Sequence, residues 1–139
     1  MIIKQVSVFI ENKPGRLAEV TDIIAGNNIN LRTLSLAEST NSGILRIIVD
    51  DPEKVARVLK GKGLTCSVKE VISVLVDDRA GGLARMLKIL AENSIAIKYM
   101  YAFVANQNKA CIIMRTEDKE TVKAMKILKN AEYEGLEIE

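Results

Sequence analysis

The sequence predicts an α+β fold made of two copies of one unit, each with the element order βαββαβ. Runs typical of strands alternate with segments in which apolar residues recur at helical spacing. The chain also aligns with itself at an offset of 66 residues, without a gap, from Val6 to near Arg115. No Gly, Pro or Ser spacer separates Lys69 from Val71, where the copies meet. We therefore expect antiparallel sheets that pack side by side.

The internal repeat is visible in strand, corner and helix alike. About ten identities in some forty aligned positions exceed chance. They include Ser7 with Ser73, Gly15 with Gly81, Leu17 with Leu83, Asn27 with Asn93, and Ile29 with Ile95. The sequence thus predicts two units, residues 1–70 and residues 71–139.

The elements of the first unit follow from local patterns. The strand IIKQVSVFI leads into the helix GRLAEVTDIIAGN, and the strands INLRTLSLAE and ILRIIVD flank the turn STNSG. A second helix follows, with Asp51 as its cap and Pro52 at its first position, and it ends at Gly61 or Gly63. The short strand LTCSVKE closes the unit. The second unit repeats this order and ends in a weak strand, YEGLEIE.

Composition narrows the class of protein. The chain has 139 residues, of which 48% are hydrophobic and 27% charged, with a net charge of +2. These values are typical of a soluble globular protein and favour neither nucleic acid nor a membrane as a partner. No signal peptide or membrane span is recognisable, and the two cysteines, Cys66 and Cys111, favour a reducing compartment. We expect a cytoplasmic protein.

A single unit of this kind is only marginally stable. About 66 residues bury too little surface for a strong core. The strand ILRIIV is apolar on both of its faces, which indicates that the side of the sheet without helices is also covered. We expect the copies, and a second chain in a homodimer, to pack on each other.

The βαββαβ unit serves many functions, so function is argued from the site. An RNA-recognition module needs aromatic rings on its central strands, and these strands offer only Phe9. A metal chaperone needs cysteines in the first strand-helix corner, and both corners lack them. An acylphosphatase needs a basic, glycine-rich phosphate cradle that neither corner provides. A small-molecule regulatory module remains, with no metal site and no cofactor.

The segment from Glu11 to Leu17, ENKPGRL, resembles the signature of the ACT domain, an amino-acid-sensing module of many metabolic enzymes. That signature has an acidic or amide residue, then Pro or Ala, Gly and Leu, followed by a helix and a turn into a strand that begins like Ile29-Asn30-Leu31. The segment from Asp77 to Leu83, DDRAGGL, matches more loosely. The resemblance covers nearly the whole chain and leaves no catalytic domain over. It implies a stand-alone pair of ferredoxin-like ACT units.

The resemblance also implies where an amino acid binds. In serine-sensing members, a histidine ending the first strand and two asparagines hold the ligand. Asn12 and Asn30 occupy the two asparagine positions, and Ile10 occupies the histidine position, so the ligand need not be serine. We expect a crevice between ACT units whose amide-bearing wall belongs to the first unit. The candidate ligand-binding residues are Asn12, Lys13, Pro14, Gly15, Arg16, Leu17, Ile29 and Asn30.

The physical chemistry of the corner fits this use. Gly15 lets a ligand approach the backbone, and the first N–H groups of the following helix favour an anion. An amide side chain both donates and accepts, so two of them suit an ammonium and a carboxylate. The plainer alternatives are that Asn12 only caps the helix and that Asn30 is a solvated residue at a strand start.

The second corner has a different set of polar residues. Asp78 and Ala96 stand where the first unit has its two asparagines, and Ala96 cannot form a side-chain hydrogen bond. We expect the second corner to be structural or supportive. Its candidate secondary ligand-binding residues are Asp78, Ala80, Gly81, Gly82 and Leu83.

Three functional hypotheses follow. The first is a non-enzymatic sensor that binds a free amino acid between ACT units and modulates a separate metabolic enzyme or regulator. The second is a ligand-free scaffold or regulatory subunit that acts only through protein contacts. The third, an unrecognised enzyme, is disfavoured because the chain has no histidine and no nucleophile beside a recognisable base.

Overall fold

The structure is a computed structural model that describes residues 1–39 and 41–136. Its strands are β1 (Ile2–Glu11), β2 (Leu31–Glu38), β3 (Ser42–Val49), β4 (Thr65–Asp77), β5 (Tyr99–Asn106) and β6 (Lys109–Arg115). Its α-helices are α1 (Arg16–Gly26), α2 (Pro52–Gly61), α3 (Gly82–Glu92) and α4 (Thr121–Asn130), and a short 3-10 turn, Asp118–Glu120, precedes α4. None of the helices described has the length and apolar character needed to cross a bilayer.

The chain forms two compact units. The amino-terminal unit comprises residues 4–69, and the carboxy-terminal unit comprises Met1–Ile3 together with Glu70–Glu139. The first three residues lie with the second unit because the backbone N–H of Ser73 donates to the Met1 carbonyl, 2.8 Å away. The division into ACT units at residues 70 and 71 stays a prediction.

In the amino-terminal unit, antiparallel strands are ordered β2-β3-β1. Glu11 pairs with Ser42 near one end of the sheet, and Leu31 pairs with Val49 at the other. Successive side chains of a strand point to opposite faces of the sheet. Alternate residues of β1 and β3 therefore pack against α1 and α2. The buried core consists of Val6, Val8, Ile10, Val20, Ile24, Leu45, Ile47, Val49, Val55, Ala56, Leu59 and Cys66.

The carboxy-terminal unit repeats this architecture with the strand order β4-β6-β5. Its core contains Ile72, Val74, Val76, Met86, Leu90, Ile95, Ile112, Met114, Ala124 and Leu128. On the opposite sheet face, Cys111 and Ile113 are also fully buried. This burial agrees with the expectation that the side without helices is covered.

The predicted fold class is confirmed: the chain is α+β, with two ferredoxin-like units of the βαββαβ type and antiparallel strands. The last strand of the first copy and the first strand of the second are one continuous strand, β4. The segment predicted as the final strand lies beside β4, where the Leu75 N–H donates to the Glu134 carbonyl at 2.8 Å. Residues 133–136 are nevertheless not assigned as a strand, and residues 137–139 lie outside the described part of the chain.

Helix α2 begins and ends as its sequence predicts. The side chain of Asp51 accepts a hydrogen bond from the Lys54 N–H at 3.2 Å, and Pro52 occupies the first turn. The helix ends at Gly61, and Gly63 follows with a left-handed φ of 84°.

Candidate functional site

Each unit places the same tight corner between its first strand and first helix. Gly15 and Gly81 both adopt left-handed backbone, with φ of 85° and 87°, and each forms the N-cap of the helix that follows. The N–H of Lys13 donates to the Glu11 carbonyl at 2.9 Å, and the N–H of Arg79 donates to the Asp77 carbonyl at the same distance. The corner is therefore a property of the repeated unit.

Asn12 does not cap helix α1, so the structural alternative for this residue is wrong. The N-cap is Gly15, and no side chain caps the helix. Asn12 is exposed, and its carboxamide forms no hydrogen bond with another described residue. Asn27 and Asn93 behave differently: each donates to a helix carbonyl, at 2.8 Å and 2.9 Å, and so serves the fold. Among the described residues, none occupies the amide at position 12.

A cavity of about 360 Å³, here called the corner cavity, lies beside Asn12. One wall comes from the end of β1 and from the corner, and the other from the ends of β2 and β3. Its lining residues are Ile10, Glu11, Asn12, Lys13, Leu17, Leu36, Ala37, Glu38, Ser42 and Gly43. Of the candidate residues, Asn12, Lys13 and Leu17 line this cavity, whereas Pro14 and Gly15 shape the backbone beside it.

The charged groups of the corner are already paired. The Lys13 ammonium lies 2.9 Å from the Glu11 carboxylate, and Arg16 lies 3.2 Å from Glu19. The hydrogen bond from Lys13, followed by the charges of Lys13 and Arg16, lowers the pKa of Glu11. Because these charges compensate one another, Asn12 is the uncommitted amide of the corner.

Asn30 lies at the opposite end of the same sheet. Glu11, next to Asn12, pairs with Ser42, and Leu31, next to Asn30, pairs with Val49. These two partners are seven residues apart along β3. At about 3.3 Å per residue, that separation is about 23 Å. Asn30 is exposed, like Asn12, and neither it nor Ile29 lines the corner cavity. One unit therefore does not bring the two carboxamides to a single ligand.

A second type of cavity, here called the shoulder cavity, occurs once in each unit. It lies between the end of the first strand, the first turn of the first helix and the loop after the second helix. In the amino-terminal unit it measures about 410 Å³ and includes Arg16, Glu19 and Gly63. In the carboxy-terminal unit it measures about 570 Å³. Its lining there is Leu75, Asp77, Arg79, Ala80, Gly81, Gly82, Arg85, Lys109, Ala131, Glu132, Tyr133 and Glu134.

Only some candidate residues of the second corner line the shoulder cavity. Ala80, Gly81 and Gly82 line the shoulder cavity, whereas Asp78 and Leu83 do not. The Asp78 N–H donates to the Asn108 carbonyl at 2.9 Å, and Leu83 packs against the core. A Cβ on Gly82 would collide with the Asp77 carbonyl oxygen. Gly82 is thus required by the packing of the corner.

Sequence reasoning missed the charged lining of this cavity. Lys109 lies 2.7 Å from one oxygen of Asp77, and Arg79 lies 3.4 Å from the other. The hydrogen bond and charge of Lys109, with smaller effects of Arg79 and Arg85, lower the pKa of Asp77. Asp77 and Arg79 belong to the segment DDRAGGL, but Arg85 lies on α3 and Lys109 on β6. No local motif joins those two residues to the corner.

The two thiols are buried and unpaired. Burial raises the pKa of Cys66, and it raises the pKa of Cys111 to about 11. Both therefore stay protonated near neutral pH, which makes them poor nucleophiles and poor metal ligands. Among residues 1–39 and 41–136, no group of His, Cys, Asp or Glu side chains is arranged to hold a metal ion.

The repeated unit, the glycine corner and the free amide beside a cavity define a regulatory domain of the ACT class. The chain belongs to the ACT domain pair family, which matches residues 1–137. No protein of curated function matches the chain.

Solved structures agree with this assignment. The chain is 39% identical to a protein from Bacteroides thetaiotaomicron, with a TM-score of 0.90, covering 98% of this chain and 92% of that one. It shares its fold with the regulatory subunit of aspartate kinase from Thermus thermophilus, at 13% identity and a TM-score of 0.68. That match covers 94% of this chain and 97% of the other. Aspartate kinase from Synechocystis matches at 16% identity and a TM-score of 0.61, over 94% of this chain but 26% of that chain.

Proposed function

We propose that this protein is a non-enzymatic, cytoplasmic regulator that binds a free amino acid between ACT units. Binding modulates a separate enzyme or regulator of amino-acid metabolism. The observation that carries the proposal is the free carboxamide of Asn12 beside the corner cavity. A buried ligand would satisfy that amide, which the fold itself does not use.

A homodimer supplies the second amide. Within its unit, β2 pairs only with β3, so its other edge is open, and its side chains Leu34 and Leu36 are 47% and 50% exposed. Antiparallel pairing of two such edges, centred on the middle of β2, would set residue 38 of one copy against residue 31 of the other. Within one copy, Glu38 pairs with Gly43, which is next to Ser42, the partner of Glu11. Asn12 of one copy therefore lies at the same height along the strands as Asn30 of the other copy.

The composite site explains how binding becomes a signal. An amino acid held by Asn12 of one copy and Asn30 of the other binds the dimer more tightly than the separated chains. It therefore shifts the population toward one packing of the two copies, by no more than its differential affinity. A partner enzyme that recognises this packing is regulated.

Binding is tested first by calorimetry against each of the twenty amino acids. A ligand at a hundred times its dissociation constant also stabilises the fold by about 2.7 kcal/mol. Asn12→Ala and Asn30→Ala are each expected to weaken binding more than about tenfold, because each removes a hydrogen bond to a charged group. Asn130→Ala, at the exposed end of α4, is the matched control and leaves affinity unchanged.

Mixing the two single variants tests the composite arrangement directly. A dimer with one Asn12→Ala copy and one Asn30→Ala copy has one intact site and one site lacking both amides. When equal amounts of the two variants exchange subunits at random, half of the dimers are mixed. About a quarter of the wild-type number of sites is therefore restored. No recovery on mixing would show that the two amides do not share a ligand. No binding of any amino acid would favour the alternative function.

The alternative function is a scaffold or regulatory subunit that acts only through protein contacts. It is favoured by a second exposed apolar strand: β5 carries Met100 and Val104, which are 40% and 72% exposed. If this alternative holds, lysine substitutions at these two positions abolish regulation of the partner enzyme, and no amino acid alters it.

A further inference from the structure

The second helices of the two units can be compared position by position. Helices α2 and α4 each have 10 residues, and Leu59 and Leu128, which are both buried, occupy the same position in their helices. In this alignment three cations recur, and these are Lys54, Arg57 and Lys60 in α2 and Lys123, Lys126 and Lys129 in α4. Helix α2 therefore serves as an internal reference for the outer surface of α4.

The outer surface of α4 has an apolar residue among its cations. The residues that recur at intervals of three and four, and so share one side of the helix, are Lys119, Val122, Lys126 and Lys129. Lys123 lies beside them, and Lys119 belongs to the 3-10 turn directly before α4. All five residues are exposed, Val122 by 51%. These five residues are here called the α4 face.

The four lysines of the α4 face form no ion pair within the described part of the chain. Helix α4 itself contains no acidic residue, although a carboxylate is favourable in the first turn of a helix. Before the helix, Glu117 lies 3.4 Å from Lys98 and is paired with it. Asp118 lies 2.6 Å from Arg115, and Glu120 is half-buried without an ion pair. The fold therefore leaves the cations of this face uncompensated.

Helix α2 lacks this combination of residues. It has Glu53 where α4 has Val122, and Glu53 pairs with Lys4 at 2.8 Å. The ammonium of Lys54 donates to the Asn27 carbonyl at 3.4 Å, whereas the equivalent lysine of α4 donates to no described residue. The repeated fold therefore does not require an exposed valine among uncommitted lysines.

We propose that the α4 face binds an acidic amphipathic segment of a partner protein. Carboxylates of the segment pair with the four lysines, and an apolar side chain of the segment covers Val122. An apolar centre with a polar rim is the usual arrangement of a protein interface. A phosphate backbone would make no use of the valine, and a net charge of +2 gives little long-range attraction to nucleic acid.

This proposal deepens the proposed function, because it gives the chemistry of the contact with the partner. It rests on that function only for the existence of a separate partner. Amino-acid binding is not needed for the contact.

The probe is a synthetic helical peptide with glutamates at helical spacing around one leucine. Added to the full chain labelled with ¹⁵N, it is expected to shift the backbone amides of α4 saturably and to leave those of α2 unchanged. A scrambled peptide of the same composition should bind more than about tenfold more weakly, since its charges and leucine no longer share one face. Double-stranded DNA and vesicles of phosphatidylcholine and phosphatidylserine are titrated in the same way.

Three variants assign the surface. Val122→Glu gives α4 the residue of α2 and is expected to weaken peptide binding more than about tenfold, because a carboxylate then faces the acidic peptide. Lys126→Glu is expected to have the same effect. Arg57→Glu changes the net charge equally, but on α2, and should leave the affinity unchanged. Because all three positions are exposed, the fold is expected to survive, and circular dichroism checks this.

Absence of peptide binding, equal shifts of α2 and α4, or unchanged affinity in Val122→Glu would overturn the proposal. Binding of DNA or vesicles to α4, without binding of the peptide, would also overturn it. These titrations contain no amino acid, so their failure leaves the calorimetry of amino-acid binding unaffected, and failure of the calorimetry does not alter them.

Discussion

Gly15 and Gly81 occupy equivalent corners 66 positions apart and share a left-handed backbone, with φ of 85° and 87°. In neither case would a Cβ meet another atom within 4 Å. The glycines are therefore required by the backbone angle and not by crowding. This distinction makes their contribution to stability measurable by itself.

Gly15→Ala is expected to lower the free energy of unfolding by about 1–2 kcal/mol, the cost of left-handed backbone for a residue with a Cβ. Urea denaturation followed by circular dichroism measures this change. Gly26→Ala is the control, because Gly26 lies within α1 and an added Cβ there would also meet no atom within 4 Å. This substitution is expected to raise the free energy of unfolding by about 0.4–1 kcal/mol. Equal effects of the two substitutions would contradict this account.

Gly82→Ala tests a different cause, because its Cβ would collide with the Asp77 carbonyl oxygen. Relief of the collision requires a shift of backbone, so we expect a destabilisation of about 2–3 kcal/mol, in the upper range for overpacking. Arg16 is its equivalent in the first unit, and Arg16→Ala is expected to change stability by less than about 0.5 kcal/mol. A neutral Gly82→Ala would mean that the corner can rearrange at little cost.

The open edge of β2 is expected to form the homodimer. Leu36→Lys places a charge on this edge, at a side chain that is 50% exposed, and should yield monomers in sedimentation velocity at micromolar concentration. Val104→Lys, on the open edge of β5, is the matched control and leaves the dimer intact. If only the Val104 substitution dissociates the dimer, the subunits meet at β5 and the composite Asn12 and Asn30 site is lost.

Asp77 is expected to make the free energy of unfolding depend on pH in the acidic range. Its pKa is lowered by Lys109, so its ionised form stabilises the fold above the unfolded value of 3.8, and this contribution is lost as pH falls through the lower folded value. Wild type should therefore be more stable than Asp77→Asn at pH 7, with the difference decreasing below pH 3.8 and lost once the pH falls below the folded pKa. Urea titrations across pH 2–7 measure it.

Lys109→Met provides the control for this effect. Without the ammonium, replacing Asp77 with Asn should have a much smaller effect at pH 7, as a double-mutant cycle would detect. An undiminished effect would assign the acid dependence to another partner of Asp77.

Local patterns were sufficient for most of the fold. The cap at Asp51, the proline at the next position and the paired glycine corners depend on a few adjacent residues, so the sequence predicted them correctly. Asn12 was harder, since a carboxamide before a helix can serve as a cap or as a ligand contact. Only the position of Gly15 as the N-cap removed the first possibility.

The candidate site could not be predicted to the same extent. Asn12 and Asn30 are close enough in sequence to be grouped by a motif, yet the strand register separates them by about 23 Å. The lining of the carboxy-terminal shoulder cavity was missed because Asp77, Arg85, Lys109 and Glu134 belong to different elements. No spacing in the sequence marks residues that meet only after the strands and helices pack.

The sequence by itself determined the repeated unit and its glycine corners, because periodicity and turn chemistry act between near neighbours. Its resemblance to the ACT signature indicated the regulatory class. The tertiary structure decided which polar side chains share a cavity and which are committed to the fold. Strand register and helix packing set those relationships, and they join residues whose separation along the chain carries no local signal.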